Sequence, residues 1–342
     1  MEMNLRSLIV IIAEQAGLPD PVLRAAVALR VGQLARRLAA ADPYEERVVA
    51  ALMAAQPTTR DPGLAQAQHY GMPAEFFALM LGPRRKYSCC LYDDASTLAE
   101  AEERALAETA AHADLRDGQR ILEFGCGWGG LSLWLAQRFP RAEIVAVANT
   151  ASQQRHIEAE AARRGLAGLR VLTADMNAFA APGRFDRIVS VEMFEHVANW
   201  SALLGRMHDW LDHDGQLFLH IVSHRTHSYR FKLDTPRDWV TRYFLTNGIM
   251  PGHGLLRMID APFTMEQEWR WSGMHYRRTA EDWLVRSDAN AAAIAPLLAA
   301  TYGDAALLWR RRWRLFLLSI AGLFGRRDGA EWGVSHYRLR PR

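Results

Sequence analysis

Ten residues, Ile121-Leu122-Glu123-Phe124-Gly125-Cys126-Gly127-Trp128-Gly129-Gly130, restrict what this chain can fold into more than any other stretch. An apolar strand carrying a carboxylate near its end runs into a glycine-dense turn. Leu131-Ser132-Leu133-Trp134-Leu135-Ala136 then reads as a helix. Glycines let the backbone pass close to a ligand because no Cβ intervenes, and the helix N-terminus offers unpaired N–H groups. Such a strand–turn–helix unit opens a parallel α/β sheet and brings a small cofactor to its first turn.

The sequence downstream agrees. Arg120–Phe124, Glu143–Ala148, Leu169–Thr173, Phe185–Val191 and Gln216–Val222 are strand-like runs separated by helical ones. The second helix opens near Ser152, and Asp214-Gly215 reads as the turn into the fifth strand. This order predicts an α/β fold, a Rossmann-like doubly wound sheet. Residues 1–63 read as an N-terminal helical region, punctuated by Leu18-Pro19-Asp20-Pro21 and ended by the segment Pro57 to Gly63. Residues 64–118 read as a helical preamble to the main domain, 119–342. Within that domain the alternation stops at about 223–280, a stretch dense in aromatics: Tyr229, Phe231, Trp239, Tyr243, Phe244, Trp269, Trp271 and Tyr276. It is expected to cap the C-terminal edge of the sheet, with some of these rings plain core. Residues 281–325 read as helices and Glu331–Leu339 as a closing strand.

Half of the 342 residues are hydrophobic, enough for a sizeable core. A net charge of +3 is too small to argue for nucleic acid. Nearly all the basic residues are arginine; Lys86 and Lys232 are the only lysines, which reads as compositional bias. The three cysteines are odd in number, and adjacent Cys89 and Cys90 lack zinc-ligand spacing, so neither a disulfide framework nor a metal site is expected. A reducing, cytoplasmic setting fits. Leu8–Ala13 has a short apolar core without a cleavage site, more like a helix face than a signal peptide. No apolar stretch is read as long enough to span a membrane. Arg310-Arg311-Arg312-Trp313-Arg314, followed by Leu315-Phe316-Leu317-Leu318, reads either as a helix with one buried side or as a peripheral contact with anionic lipid.

Gly125, Gly127 and Gly130 satisfy a dinucleotide-binding spacing. That reading also wants an acid at the end of the second strand, which instead ends Val147-Ala148-Asn149. Glu123 favours a different cofactor, because a carboxylate there repels a pyrophosphate and attracts an ammonium. S-adenosylmethionine carries such an ammonium. Asn149 and Gln153 can bond its ribose without charge, while Asp175 can accept from the adenine amino group and Met176 can cover the ring. Gly125, Gly127 and Gly129 complete the expected cofactor set.

Ordered landmarks extend the reading. They are Gln68-His69-Tyr70, Glu75-Phe76-Phe77, Lys86-Tyr87-Ser88-Cys89-Cys90, the glycine turn, Val191-Glu192-Met193-Phe194-Glu195-His196, Thr241-Arg242-Tyr243-Phe244, Met250-Pro251, His275-Tyr276, Glu281-Asp282-Trp283-Leu284 and Phe324-Gly325. On these the chain, from about residue 64 onward, resembles the methyltransferases that are like cyclopropane-fatty-acid synthase. Within them it looks most like the plant coclaurine N-methyltransferases. The resemblance implies a class I S-adenosylmethionine-dependent methyltransferase and adds Tyr87 and Ser88 to the cofactor site.

Two acceptor chemistries follow. An amine must lose a proton, so a base is useful. If the residues after the fourth strand are helical, Glu192 and Glu195 share a face with His196 and can hold and deprotonate a small-molecule amine. Aromatics of the cap can add cation–π contact. The resemblance gives the Glu-x-x-Glu-His motif this role. An alkene in an unsaturated lipid or isoprenoid instead needs a base for a carbocation. In the lipid-modifying relatives a bound bicarbonate supplies it, and its ligands map to Cys89, Glu195, His220 and Tyr276. Those relatives usually carry glycine or another neutral residue where this chain has Glu192, whose charge would disfavour bicarbonate. His220 also reads as a core histidine, Cys89 and Tyr276 as buried packing residues, and His196 as a helix cap.

Overall fold

A computed structural model describes residues 17–42, 45–58, 71–94, 96–231 and 239–342. The apolar segment Leu8–Ala13, the triplet Gln68-His69-Tyr70 and Lys232 lie outside the described residues.

Strands β1 (Arg120–Phe124), β2 (Glu143–Ala148), β3 (Leu169–Thr173) and β4 (Phe185–Val191) lie where the sequence puts them. The fifth, β5 (Leu211–His224), is longer than expected at both ends. Asp214-Gly215 is not a turn before β5 but lies inside it, beside a register shift opposite Phe185 and Arg187. A two-residue ribbon, β6 (Tyr229–Arg230) with β7 (Ile249–Met250), stands apart from the main sheet, which β8 (Phe263–Ser272) and β9 (Trp332–Pro341) complete. The seven-stranded order is β3-β2-β1-β4-β5-β9-β8. Strands β1 to β5 pair in parallel, and β9 runs antiparallel to both its neighbours. The chain winds outward from β1 to β3, then returns to place β4 on the other side of β1. That reversal opens a crevice at the carboxyl ends of β1 and β4.

β1 shows why these segments become strands. Four of its five residues are buried, as a parallel strand covered on both faces requires. Helices α1 (Asp20–Ala39), α2 (Glu45–Ala54), α3 (Ala74–Met80) and α4 (Leu98–His112) precede the sheet; α5 (Gly130–Arg138), α6 (Ala151–Arg164) and α7 (Trp200–Trp210) alternate with its strands. Thr97 and Glu100 form a capping box that starts α4, and Thr150 with Gln153 does the same for α6.

The expected cap at 223–280 needs correction. Its first half holds β6, the short helix α8 (Trp239–Tyr243) and β7, but Phe263–Ser272 is a strand of the main sheet and α9 (Gly273–Ala289) begins directly after it. Antiparallel closing strands break the strand–helix rhythm, so the sequence shows only a gap there. Trp269 and Trp271 are sheet residues. Phe244 stacks on Phe316 with centroids 4.2 Å apart, so the cap packs its rings against the C-terminal helices.

Those helices are α10 (Ala291–Tyr302) and α11 (Ala306–Phe324). Contrary to expectation, Ala291–Phe324 is long and apolar enough by composition to span a membrane. Here the run is interrupted at Gly303–Ala305, and Leu317 and Leu318 are buried in the core. Arg314 pairs with Asp20 and Asp288, both at 3.0 Å. The basic run thus lies on a helix that buries Trp313, Phe316, Leu317 and Leu318, although only 11% of the most apolar window of Ala291–Phe324 is buried.

Candidate active site

The crevice at β1 and β4 encloses about 1380 Å³ of atom-free space, counting its mouth. Gly125, Gly127 and Asn149 line it on one side, and Arg85, Tyr87 and Ser88 of the preamble close it on the other.

The turn after β1 needs its glycines for different reasons. Gly125 has φ +94°, and a Cβ there would lie 2.8 Å from Met193 Cγ. Gly129 has φ +81° and a Cβ would lie 2.7 Å from Ile157 Cγ1. Gly129 does not line the crevice; it allows α5 to start against α6. Beside the cofactor role expected of it, Gly129 therefore has a packing role.

Glu123 is buried, and Ser132 Oγ donates to its carboxylate. Burial pushes its pKa up to about 7, with the Ser132 bonds opposing. A buried carboxyl in this state gains its charge when a cation arrives. Gln153 is fully buried; its Oε1 accepts from the N–H groups of Asn149 and Thr150 at 3.0 and 3.2 Å. Its Nε2 is left without a hydrogen-bond partner among the described residues. Asp175 departs from the expectation. It is exposed, its carboxylate accepts from Asn177 N–H at 2.8 Å, and only its neighbours Ala174 and Met176 line the crevice.

The acidic motif does not form the expected α-helix. Glu192 ends β4 in the left-handed region, at φ +47°, and a single 3₁₀ turn, Phe194–His196, follows. That reversal turns Glu192 towards the preamble loop. Its Oε1 accepts from Cys89 N–H at 2.8 Å and lies 3.2 Å from His220 Nε2. Its Oε2 accepts from Tyr276 O–H at 2.7 Å. Burial raises the Glu192 pKa, against the pull of Lys86, Cys89 N–H and Tyr276. Glu195 Oε1 accepts from Val222 N–H at 2.6 Å, and its Oε2 has no hydrogen-bond partner among the described residues. Burial, then the Glu192 charge, pushes Glu195 up to about 8. His196 lines the crevice beside Glu192, and burial lowers it to about 4, so its imidazole is neutral. Of the four residues expected around a bicarbonate, three meet the Glu192 carboxylate instead. Cys89 does so through its backbone; its thiol donates to Cys90 O.

Sequence reasoning missed Lys86, although an isolated lysine in an arginine-rich chain was a signal. It is buried, and its Nζ donates to Ser88 Oγ at 2.7 Å and to Cys89 O. Glu102 on α4, fully buried, accepts from the N–H groups of Arg84 and Lys86 at 2.8 and 3.2 Å and pins the loop. The cap contributes Thr246 and Asn247 to the crevice rather than its aromatics. The crevice is lined by the rings of Tyr87, Phe124 and Trp128, and of the cap aromatics Tyr276 reaches its wall through Glu192.

Comparison with known proteins decides the family. Residues 58–329 match the mycolic acid cyclopropane synthetase family. The chain belongs to that family. It is 36% identical to a (S)-coclaurine N-methyltransferase of Thalictrum flavum subsp. glaucum, over 79% of this chain and 76% of that one. It is 29% identical to the cyclopropane-fatty-acyl-phospholipid synthase of Escherichia coli K12, over 78% and 66%. A crystal structure of coclaurine N-methyltransferase bound to N-methylheliamine and SAH superposes with a TM-score of 0.91 at 31% identity, covering 97% of this chain and 98% of that one. Like its family, the chain is an S-adenosylmethionine-dependent methyltransferase. Its residues suit the cofactor: a buried carboxylate at Glu123 for the ammonium, and the orphaned Gln153 amide for a hydroxyl.

Proposed function

We propose that this methyltransferase acts on the nitrogen of a small-molecule amine, with Glu192, Glu195 and His196 serving the acceptor. The observation that carries this reading is the Glu192 carboxylate itself. It takes up the Cys89 N–H, His220 and Tyr276 donors that a bicarbonate would need. Two anions cannot share those donors, since like charges at hydrogen-bond distance raise each other's cost of ionisation. A carboxylate fixed in the wall attracts a cationic amine and accepts its proton. The relatives named for N-methylation support the same choice.

The chain's own residues divide the work. S-adenosylmethionine, when bound, supplies a methyl group on a positively charged sulfur. Glu123 holds the ammonium end and Gln153 a hydroxyl. Lys86 and Glu102 fix the loop that delivers Tyr87, Ser88 and the Cys89 N–H. His196 is neutral and faces the crevice with Glu192, so an arriving ammonium meets one base and one charge. Loss of its proton frees the lone pair for in-line attack. The proton ends on Glu192, which has onward hydrogen bonds.

The test supplies isotopically labelled methyl donor to the purified protein with a panel of cyclic secondary amines and unsaturated phospholipids. The methylated atom is identified by mass spectrometry. Label on nitrogen is the expected result. Label confined to carbon of the lipid, with activity lost on bicarbonate depletion, overturns the reading in favour of cyclopropanation or C-methylation.

A further inference from the structure

Three histidines from three separate elements form a line behind Glu192. His220 on β5 has its Nε2 on the Glu192 carboxylate and its Nδ1 2.9 Å from His336 Nε2 on β9. His336 Nδ1 is 2.8 Å from His112 Nδ1, at the end of α4. His112 Nε2 is 3.0 Å from Glu108 Oε1, one turn earlier on the same helix. The side chain of His220 is fully buried and that of Glu108 is 43% exposed. Trp269 stacks on the His112 ring at 3.9 Å, and Trp271 packs on His336 at 4.3 Å, so aromatic rings pack against the line. Lys86 and Arg338 are the nearby cations, and Arg338 Nη1 donates to His112 O at 3.4 Å.

We propose that Glu192, His220, His336, His112 and Glu108 form a proton relay that carries the proton lost by the acceptor out of the site while it is closed and takes one back once it reopens. The proposal rests on the N-methylation reading above, because that chemistry leaves one proton in the site per turnover.

Counting protons supports it. Four gaps separate the five groups. Three neutral imidazoles supply three N–H bonds, and two ionised carboxylates supply none, so the line has room for one more proton. While Glu192 is ionised and His220 Nε2–H donates to it, the open gap lies between His112 and Glu108; after one inward passage has turned the line, a proton on Glu192 leaves each group donating outward to the next. Transfer then breaks the Glu192 O–H bond as His220 Nε2–H forms, His220 Nδ1–H as His336 Nε2–H forms, and His336 Nδ1–H as His112 Nδ1–H forms. Glu192 is left ionised, and His112 becomes an imidazolium facing the Glu108 carboxylate. It passes its Nε2 proton through Glu108 to water. After product departs, the reverse passage restores the first arrangement, with one proton entering at Glu108 and one leaving Glu192 to water in the open crevice. Burial holds His220 and His336 well below the ordinary imidazole pKa, so neither retains the proton; His112 is lowered to a lesser degree.

The experiment compares wild type with His336→Gln, His112→Gln and Glu108→Gln. The last two lie at the solvent end, where folding tolerates change if the buried substitution does not. Stopped-flow with a pH-indicator dye follows proton release while quenched samples report methyl transfer to a secondary amine. In the wild type the proton is expected to reach solvent at the rate of methyl transfer. In the variants it should lag until product release, with kcat lowered roughly tenfold or more and KM unchanged. Added imidazole should restore part of the His112→Gln rate. Folded variants with wild-type kcat and no lag overturn the relay. A wild type that methylates no amine fails the N-methylation reading instead, and the two failures are distinguished by the wild-type arm alone.

Discussion

Replacing Glu192 by glycine separates the carboxylate from the three donors that hold it, and the consequences can be worked out term by term. A left-handed backbone costs a side-chain-bearing residue about 1–2 kcal/mol, and Glu192 has φ +47°. Glycine recovers that cost and gives back about 0.5–1 kcal/mol through its freer unfolded chain. The substitution also removes a carboxylate whose charged form burial disfavours. Against these gains, Cys89 N–H, His220 Nε2 and Tyr276 O–H lose their acceptor. A buried donor left alone costs about 1–3 kcal/mol, and water entering from the crevice recovers part of it. Three such donors sum to about 3–9 kcal/mol before water takes its share, so the balance is a net destabilisation that a denaturant melt will read directly. Activity should fall by roughly 10²–10⁴ in kcat/KM, or about 3–5 kcal/mol, the usual worth of a positioned base. The donors then face a carboxylate-sized space. Formate, acetate or bicarbonate at millimolar concentration should restore methyl transfer to an amine in Glu192→Gly while leaving the wild type unaffected. The assay is methyl transfer from labelled donor, titrated with each anion, beside a denaturant melt that verifies folding. A folded Glu192→Gly variant with wild-type kcat and no anion dependence would refute the reasoning.

The Glu123 carboxyl, with its pKa pushed up to about 7 by burial, should lose protons when an ammonium docks beside it. S-adenosylmethionine affinity should rise with pH through that value, and calorimetry in buffers of differing ionisation enthalpy should detect proton release. Because the folded-state pKa lies above the unfolded one, the ligand-free protein should lose this group's contribution to stability as pH rises from the ordinary carboxyl range to about 7; a pH-independent affinity would contradict both statements. Gly125→Ala places a Cβ 2.8 Å from Met193 Cγ at φ +94°. It should cost about 1–3 kcal/mol in denaturant unfolding and more in cofactor affinity, since Met193 also lines the crevice.

What the sequence made legible follows from how local each signal is. The strands β1 to β4 could be read to the residue because each is a short run bounded by turns, largely buried and apolar in β1 and β2 and in the second half of β4, while edge strand β3 buries only Val171. The same rule missed β8, an edge strand rich in polar residues in which only Phe263 and Trp271 are buried, so no apolar run announces it. Glu123 and Gln153 were readable because each acts within a few residues of its own turn. The joint geometry of Glu192 with Cys89, His220 and Tyr276 was not, since those partners are separated from it by 103, 28 and 84 positions. Resemblance had grouped Cys89, His220 and Tyr276 around an expected anion. The charge of Glu192 was legible, but only its left-handed turn, at φ +47°, shows that it reaches those three donors itself. A residue with positive φ admits glycine most easily, so the backbone at position 192 should accept either a carboxylate or no side chain. Position 192 is therefore where a change of acceptor class should be reachable with little disturbance to the fold.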